Sequence, residues 1–359
     1  MSDYKFIDIN AAGGDAVTTS FSNQVSYCKA SDAPITARVV AAIAAALNDP
    51  VGSRFLGRIA GWSGAPMADA LPLRAAGGLH ALHLSGRAPE LAAIYAGEAG
   101  TDDLAIVRGV IDAHEADLLP WLDGPPQTNE AGRSANFVAA MLWLADRGLA
   151  PRFACLEIGS SAGINLMLDR YRYELGGVGF GPEPGVMRFE PEWKGSPPPD
   201  RAIEIVSLKG CDVAPVDLTD PGQALRLKAY IWPEHGIRFA RMDAAIAAAV
   251  EKAPKLVKMT AADFCEAELA KPQDAGVTRL LMHSIVWQYV PADQQDRITA
   301  AMEAAGARAT AERPLAWIAL EANRARHHHE LRVRYWPGGD AETLLATSHP
   351  HGAWIDWRA

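Results

Sequence analysis

Apolar positions along the chain follow two regimes. Between Phe21 and Leu149 they recur at helical spacing in alanine-rich segments broken by Pro and Gly, which predicts helices over 35–47, 71–84, 89–96 and 103–119. No stretch there alternates at period two for long, so no sheet is expected in that third. From Phe153 onward, short apolar runs alternate with helical segments. Strands are predicted over 153–158, 202–208, 255–259, 278–286 and 315–320, and helices over 225–231, 243–252 and 293–305. The run 278–286 is almost continuously apolar, as a parallel strand covered on both faces should be. Two strands at 171–175 and 186–189 flank a Gly/Pro turn and read as an inserted hairpin. A closing antiparallel pair is expected over 331–335 and 343–347. The pattern predicts an α/β fold with a doubly wound, mostly parallel sheet, a helical cap or lid region over 1–148 and the sheet domain over 149–359.

The stretch around Glu157 organises the second regime. Strand 153–158 ends in Gly159-Ser160-Ser161-Ala162-Gly163, and helical spacing resumes at Ile164, Met167 and Leu168. Small residues between a strand and a helix let a ligand approach the bare backbone N–H groups closely. A dinucleotide loop would offer three glycines to an anionic pyrophosphate. Here a carboxylate precedes the first glycine. It repels a pyrophosphate and suits a cationic ligand with a free amino group, which favours S-adenosylmethionine over NAD.

Composition narrows the classes. Hydrophobic content is 49%, charged content 21%, and the net charge of −9 gives no field that would draw nucleic acid or an anionic membrane surface. No apolar run reaches the ~18 residues of a membrane span. Cys28, Cys155, Cys211 and Cys265 are widely spaced with no Cys-x-x-Cys pair, as reduced thiols would be. The Met1-Ser2-Asp3-Tyr4-Lys5 start lacks the basic region and apolar run of a signal peptide, so a cytoplasmic protein is expected. A small-molecule substrate is expected, with no nucleic-acid or membrane partner; the oligomeric state stays open.

Residues 150–359 resemble a class I S-adenosylmethionine-dependent methyltransferase with a seven-stranded Rossmann-like sheet. More narrowly, the chain resembles an uncharacterised bacterial domain-of-unknown-function family. That likeness is carried by Gln127-Thr128-Asn129-Glu130 with Arg133, Leu156-Glu157-Ile158-Gly159 through Asn165, Gly210 to Asp217, Trp232-Pro233, and His283-Ser284. The methyltransferase resemblance implies that Glu157, Gly159, Ser161 and Gly163 surround the methionine part of the cofactor, with Ser160, Asn165 and Ser284 completing the set. It implies that Asp212 holds the ribose and Asp263 the adenine amino group. Ser161 departs from the usual middle glycine, and Glu174 rivals Asp212 because the inserted hairpin lengthens the spacing to about 50 residues where about 20 is usual. Gln127, Asn129, Glu130 and Arg133 become substrate or lid residues, although the same run also reads as a helix N-terminus capped by Thr128 or Asn129. Asp217, in turn, suits a helix cap better than Asp212 does.

Methyl transfer is an in-line displacement that depends on positioning and, for some acceptors, on a base. His283 at the end of the fourth strand is the first candidate base and Tyr289 a weaker one; a structural histidine is the plainer reading of His283. The product-binding alternative is a protein that holds S-adenosylmethionine or S-adenosylhomocysteine without transfer. A serine hydrolase is the other class to weigh, since Gly159-Ser160-Ser161-Ala162-Gly163 fits the Gly-x-Ser-x-Gly elbow, with Ser161 as nucleophile, Asp263 as acid and His283 or His349 as base. Arg326-His327-His328-His329-Glu330 with His349 and His351 is expected to be a polar loop rather than a metal site, because consecutive strand residues face opposite ways.

Overall fold

A computed structural model describes residues 10–323, 326 and 328–359; Met1–Lys5 of the chain start and His327 of the histidine run lie outside the described residues. The chain divides into two compact units, one of residues up to Thr128 with Asp220–Ala240, the other of Asn129–Thr219 with Arg241–Ala359. Residues 129–148 thus cluster with the sheet, and 220–240 with the helices.

The first unit is helical. Its helices Pro34–Ala46, Arg54–Ala60, Leu71–Leu84 and Asp103–Ala113 meet over Phe21, Ile43, Phe55, Leu56, Leu71 and Leu79, all buried. The expected 103–119 helix breaks at His114, and 89–96 starts with a turn of 3-10 helix. Residues 220–240 are tied in by polar contacts: the Glu234 carboxylate accepts from Thr36 N at 2.9 Å and Thr36 Oγ1 at 2.8 Å, satisfying donors in the first turn of Pro34–Ala46. Asp220, not Asp217, caps the helix Pro221–Ala229 by accepting from Gln223 N at 2.8 Å, while Asp217 accepts from Thr219 N.

The second unit is built on twelve strands: β1 (Arg152–Ile158), β2 (Arg172–Leu175), β3 (Val178–Phe180), β4 (Arg188–Phe189), β5 (Glu192–Lys194), β6 (Glu204–Asp212), β7 (Leu256–Lys258), β8 (Thr278–Ser284), β9 (Leu315–Asn323), β10 (His328–Trp336), β11 (Gly339–Ser348) and β12 (Trp354–Trp357). Nine of them form one sheet in the order β5-β12-β11-β10-β9-β8-β1-β6-β7. β7, β6, β1, β8 and β9 are mutually parallel; β10, β11 and β12 return antiparallel, and β5 pairs parallel with β12. The mostly parallel sheet is present as expected, but with nine strands in place of seven. A C-terminal meander and a three-residue strand from the insert extend it.

The insert itself is also different. β2 pairs antiparallel with β3 across Gly176-Gly177 and parallel with β4, making a separate three-stranded sheet in place of a simple hairpin. Buried Tyr171, Tyr173 and Phe189 pack at its base. On the main sheet, Leu156, Ile158, Cys211 and Leu281 face the helices Ala261–Leu269 and Ala292–Gly306 through Phe264, Ile298 and Met302. The helix Ser134–Asp146, buried from Ser134 to Leu144, packs on β9 and β2, with Trp143 edge-on to Tyr335 at 5.9 Å. No helix among the described residues is long and apolar enough to cross a membrane.

Candidate functional site

β1 feeds a turn in which Gly159, Ser161 and Gly163 all have left-handed backbone, at φ +64, +52 and +71. Gly159 is required twice over, because a Cβ there would overlap Val286. Ser161 takes the same backbone without that freedom. The turn is held by its surroundings: Ser160 N donates to Cys211 O at 3.0 Å, Ser161 N to Asp212 Oδ2 at 2.8 Å, and Val216 N to Ser161 O at 3.0 Å. Ile164 N, the first donor of the short helix Ile164–Arg170, is satisfied by Asn129 Oδ1 at 2.9 Å. Asn129 thus joins the turn and does not cap its own helix, which begins with a 3-10 turn at Ala131–Arg133.

At the end of β1 the Glu157 side chain is 1% exposed. Asn165 Nδ2 donates to its Oε1 at 2.8 Å, while Oε2 has no hydrogen-bond partner among the described residues. Asn165 Oδ1 and Ser161 Oγ are likewise buried without a partner. Burial, with a smaller push from the Asp212 charge, raises the Glu157 carboxyl to about 7, against the side chains of Asn165 and Ser160 and the positive charge of Arg133. Buried Glu130 interacts with Arg241, and Arg133 Nε donates to Pro350 O at 2.8 Å. Glu157 and Asn165 are thus bonded to each other under the charge of Arg133, while Ser161 and Asn129 are buried in and against the turn that follows. Gln127 belongs to the helical unit.

The remaining expected residues do not all join them. Asp212 ends β6 and is used as a brace, one oxygen taking Ser161 N and the other Ala214 N at 2.9 Å. Asp263 sits exposed in the first turn of Ala261–Leu269 and pairs with Arg297 at 2.7 Å, which holds its carboxyl below the usual range. Glu174 lies on the small sheet, paired with Arg172 at 2.7 Å. Ser284 closes β8 and is buried, while Tyr289 is 74% exposed.

His283 is 2% exposed, with Nδ1 against Glu321 Oε1 at 2.7 Å and its ring stacked on Trp287 at 5.2 Å. Residues paired across neighbouring strands share a sheet face. Leu156 pairs with Leu281 and Glu157 with Met282, and His283 is two residues beyond Leu281. Glu157 and His283 therefore project from opposite faces. The acid partner of His283 is Glu321, not Asp263, and no hydrogen bond links Ser161 Oγ to a histidine among the described residues. Sequence reasoning gave Glu321 no role. Its position at the end of an apolar strand, like that of His283, was the available signal.

The four cysteines are buried and unpaired, and burial pushes the Cys265 thiol up to about 12. No group of three or more His, Cys, Asp or Glu side chains among the described residues could hold a metal ion. His329 is lowered by burial and by Arg133.

Comparison with known proteins adds one relation. The family model described as "uncharacterized protein conserved in bacteria" (DUF2332) matches residues 18–357, so the chain belongs to that family. No curated protein and no solved structure matches it.

Proposed function

Because that family carries no assigned chemistry, we propose from the site itself that the protein binds S-adenosylmethionine by its amino-acid end and is a small-molecule methyltransferase. The observation that carries this reading is the buried Glu157 carboxyl at the end of β1, with Oε2, Asn165 Oδ1 and Ser161 Oγ lacking partners. Three unpartnered acceptors, one of them able to ionise, suit an ammonium group with its three donors. The five parallel strands support it. Numbered in chain order they lie 3-2-1-4-5, and ligands of such sheets bind beyond the strand ends where that order reverses, next to β1.

Bound there, S-adenosylmethionine supplies an electrophilic methyl group. Glu157 would hold the ammonium, Asn165 would orient Glu157, and the Ser160–Gly163 backbone would line the methionine chain. The nucleoside end is less well matched. Both oxygens of Asp212 already accept backbone N–H groups, and Asp263 is committed to Arg297 on the surface. A second reading, binding without transfer, is favoured by the candidate base His283 projecting from the face opposite Glu157.

Calorimetric titration with S-adenosylmethionine and S-adenosylhomocysteine tests the proposal. Both should bind, and Glu157→Gln should weaken both by roughly tenfold or more, the worth of a charge-assisted hydrogen bond. An ammonium requires the ionised carboxylate, so affinity should fall roughly tenfold from pH 8 to pH 6, with proton uptake and release visible in buffers of different ionisation enthalpy. Folded protein that binds neither compound refutes both readings. Binding without methylation of any acceptor in a screen leaves the second.

A further inference from the structure

On the face of the sheet opposite Glu157, a cavity of about 270 Å³ is lined by His283, Trp287, Thr299, Trp317, Glu321 and Arg332 among others. Register explains the assembly. His283 pairs with Ala319, so Trp317, Ala319 and Glu321 of β9 share its face, and Arg332 and Arg334 of β10 lie beside Ala319 and Trp317. The walls are two indoles, Trp287 and Trp317, set edge to face at 5.6 Å and 64°.

The polar atoms in this wall are fixed. Glu321 Oε1 accepts from Val286 N at 3.1 Å, Trp287 N at 3.3 Å and His283 Nδ1 at 2.7 Å. A carboxylate only accepts, so in the neutral imidazole the proton sits on Nδ1 and Nε2 is left as an acceptor. His283 Nε2 is buried without a partner among the described residues, and so is the indole N–H of Trp317, a pure donor. The two rings lie 6.1 Å apart, within reach of one small ligand. A buried polar group left unpaired is destabilising, and two in the wall of one cavity call for a common partner.

Charge selects further. Arg332 is shared between Glu330 and Glu342, and Arg334 is paired with Glu303, so the cations here are already neutralised. An anionic ligand would have to compete with those carboxylates.

We propose that this cavity is a second binding site, for a neutral planar aromatic compound whose hydroxyl donates to His283 Nε2 and accepts from Trp317 Nε1–H. Its size is just below the about 300–1,000 Å³ of drug-sized pockets, which suits one or two rings. The site stands on the other sheet face from Glu157 and does not depend on the methyl-donor reading.

Calorimetry of the whole protein, with no methyl donor present, can use 2-naphthol, 2-methoxynaphthalene and 2-naphthoate as probes. 2-Naphthol should bind, with the ether and the carboxylate each at least about tenfold weaker. His283→Phe should lower 2-naphthol affinity about tenfold and leave the ether nearly unchanged, whereas Trp317→Phe should weaken both, because the ether oxygen still accepts from the indole N–H. Equal binding of 2-naphthol and its ether would show an apolar hole without the assigned hydrogen bonds and overturn the proposal. So would tightest binding of 2-naphthoate, or no binding of any probe. Should His283→Phe fail to fold by circular dichroism, Trp317→Phe and the wild-type probe series still decide.

Discussion

Glu157 makes the stability of this protein depend on pH in a direction opposite to that of most carboxylates. A paired surface carboxylate is lowered on folding and stabilises above its unfolded value. Glu157 is raised, from 4.5 to about 7, by a burial that Asn165 and Arg133 only partly offset. The folded state therefore binds its proton more tightly than the unfolded chain does, and the stability this confers is complete below about 4.5 and is lost as pH rises through about 7. The whole difference is about 3 kcal/mol, and the part lost between pH 6 and pH 8 is about 1 kcal/mol. Glu157→Gln keeps a neutral, amide-sized group beside Asn165 and has no proton to lose. Urea unfolding of wild type and variant at pH 6 and pH 8, followed by tryptophan fluorescence, isolates the effect. The variant-minus-wild-type stability should increase by about 1 kcal/mol on going to pH 8, whatever its value at pH 6. A difference that is flat with pH, or that moves in favour of wild type, would mean that Glu157 is ionised in the fold throughout and that the buried-acceptor reasoning is wrong.

Two further outcomes follow from the same geometry. Gly159→Ala should destabilise by about 2–4 kcal/mol, part from its left-handed backbone and part from overlap with Val286; adding Val286→Ala should recover only the part due to the valine methyls, since the Val286 Cβ would still lie 2.8 Å from the new one, as urea titration of the single and double variants can show. Because Glu157 and His283 project from opposite faces, Glu157→Gln should leave 2-naphthol affinity within about twofold, and Trp317→Phe should leave S-adenosylmethionine affinity equally unmoved; coupling above about 1 kcal/mol in calorimetry would mean the two sites are one.

The elements themselves were largely legible. The helix at 71–84 falls where its periodicity placed it, and all five parallel strands overlap the apolar runs that predicted them. The small-residue turn after Glu157 was legible too, because left-handed backbone and close approach leave few residue types to choose from. What failed was partnership. Asn129, Glu130 and Arg133 stood out as a polar run, but nothing in their spacing indicates that Asn129 reaches Ile164 N, 35 residues on. β5 is three residues, Glu192-Trp193-Lys194, in a Pro/Gly-rich insert, and β12 is four, Trp354–Trp357; both are too short for any period to register, so two of the nine strands were missed.

The costliest gap was the face on which each strand residue lies. In a half-exposed strand, alternation of polar and apolar residues tells the two faces apart. β1 and β8 are covered on both sides, so Phe153 to Ile158 and Leu280 to Met282 are apolar or buried in both directions and their alternation carries no sign. Glu157 and His283 then look like two polar residues at the ends of adjacent strands, converging on one ligand. Only the pairing of Leu156 with Leu281 separates them. That single register puts the two residues on separate faces of the sheet, each beside its own unpartnered atoms. It also explains why His283 is held by Glu321 from β9, a neighbour on its own face, and not by any residue of the turn that follows β1.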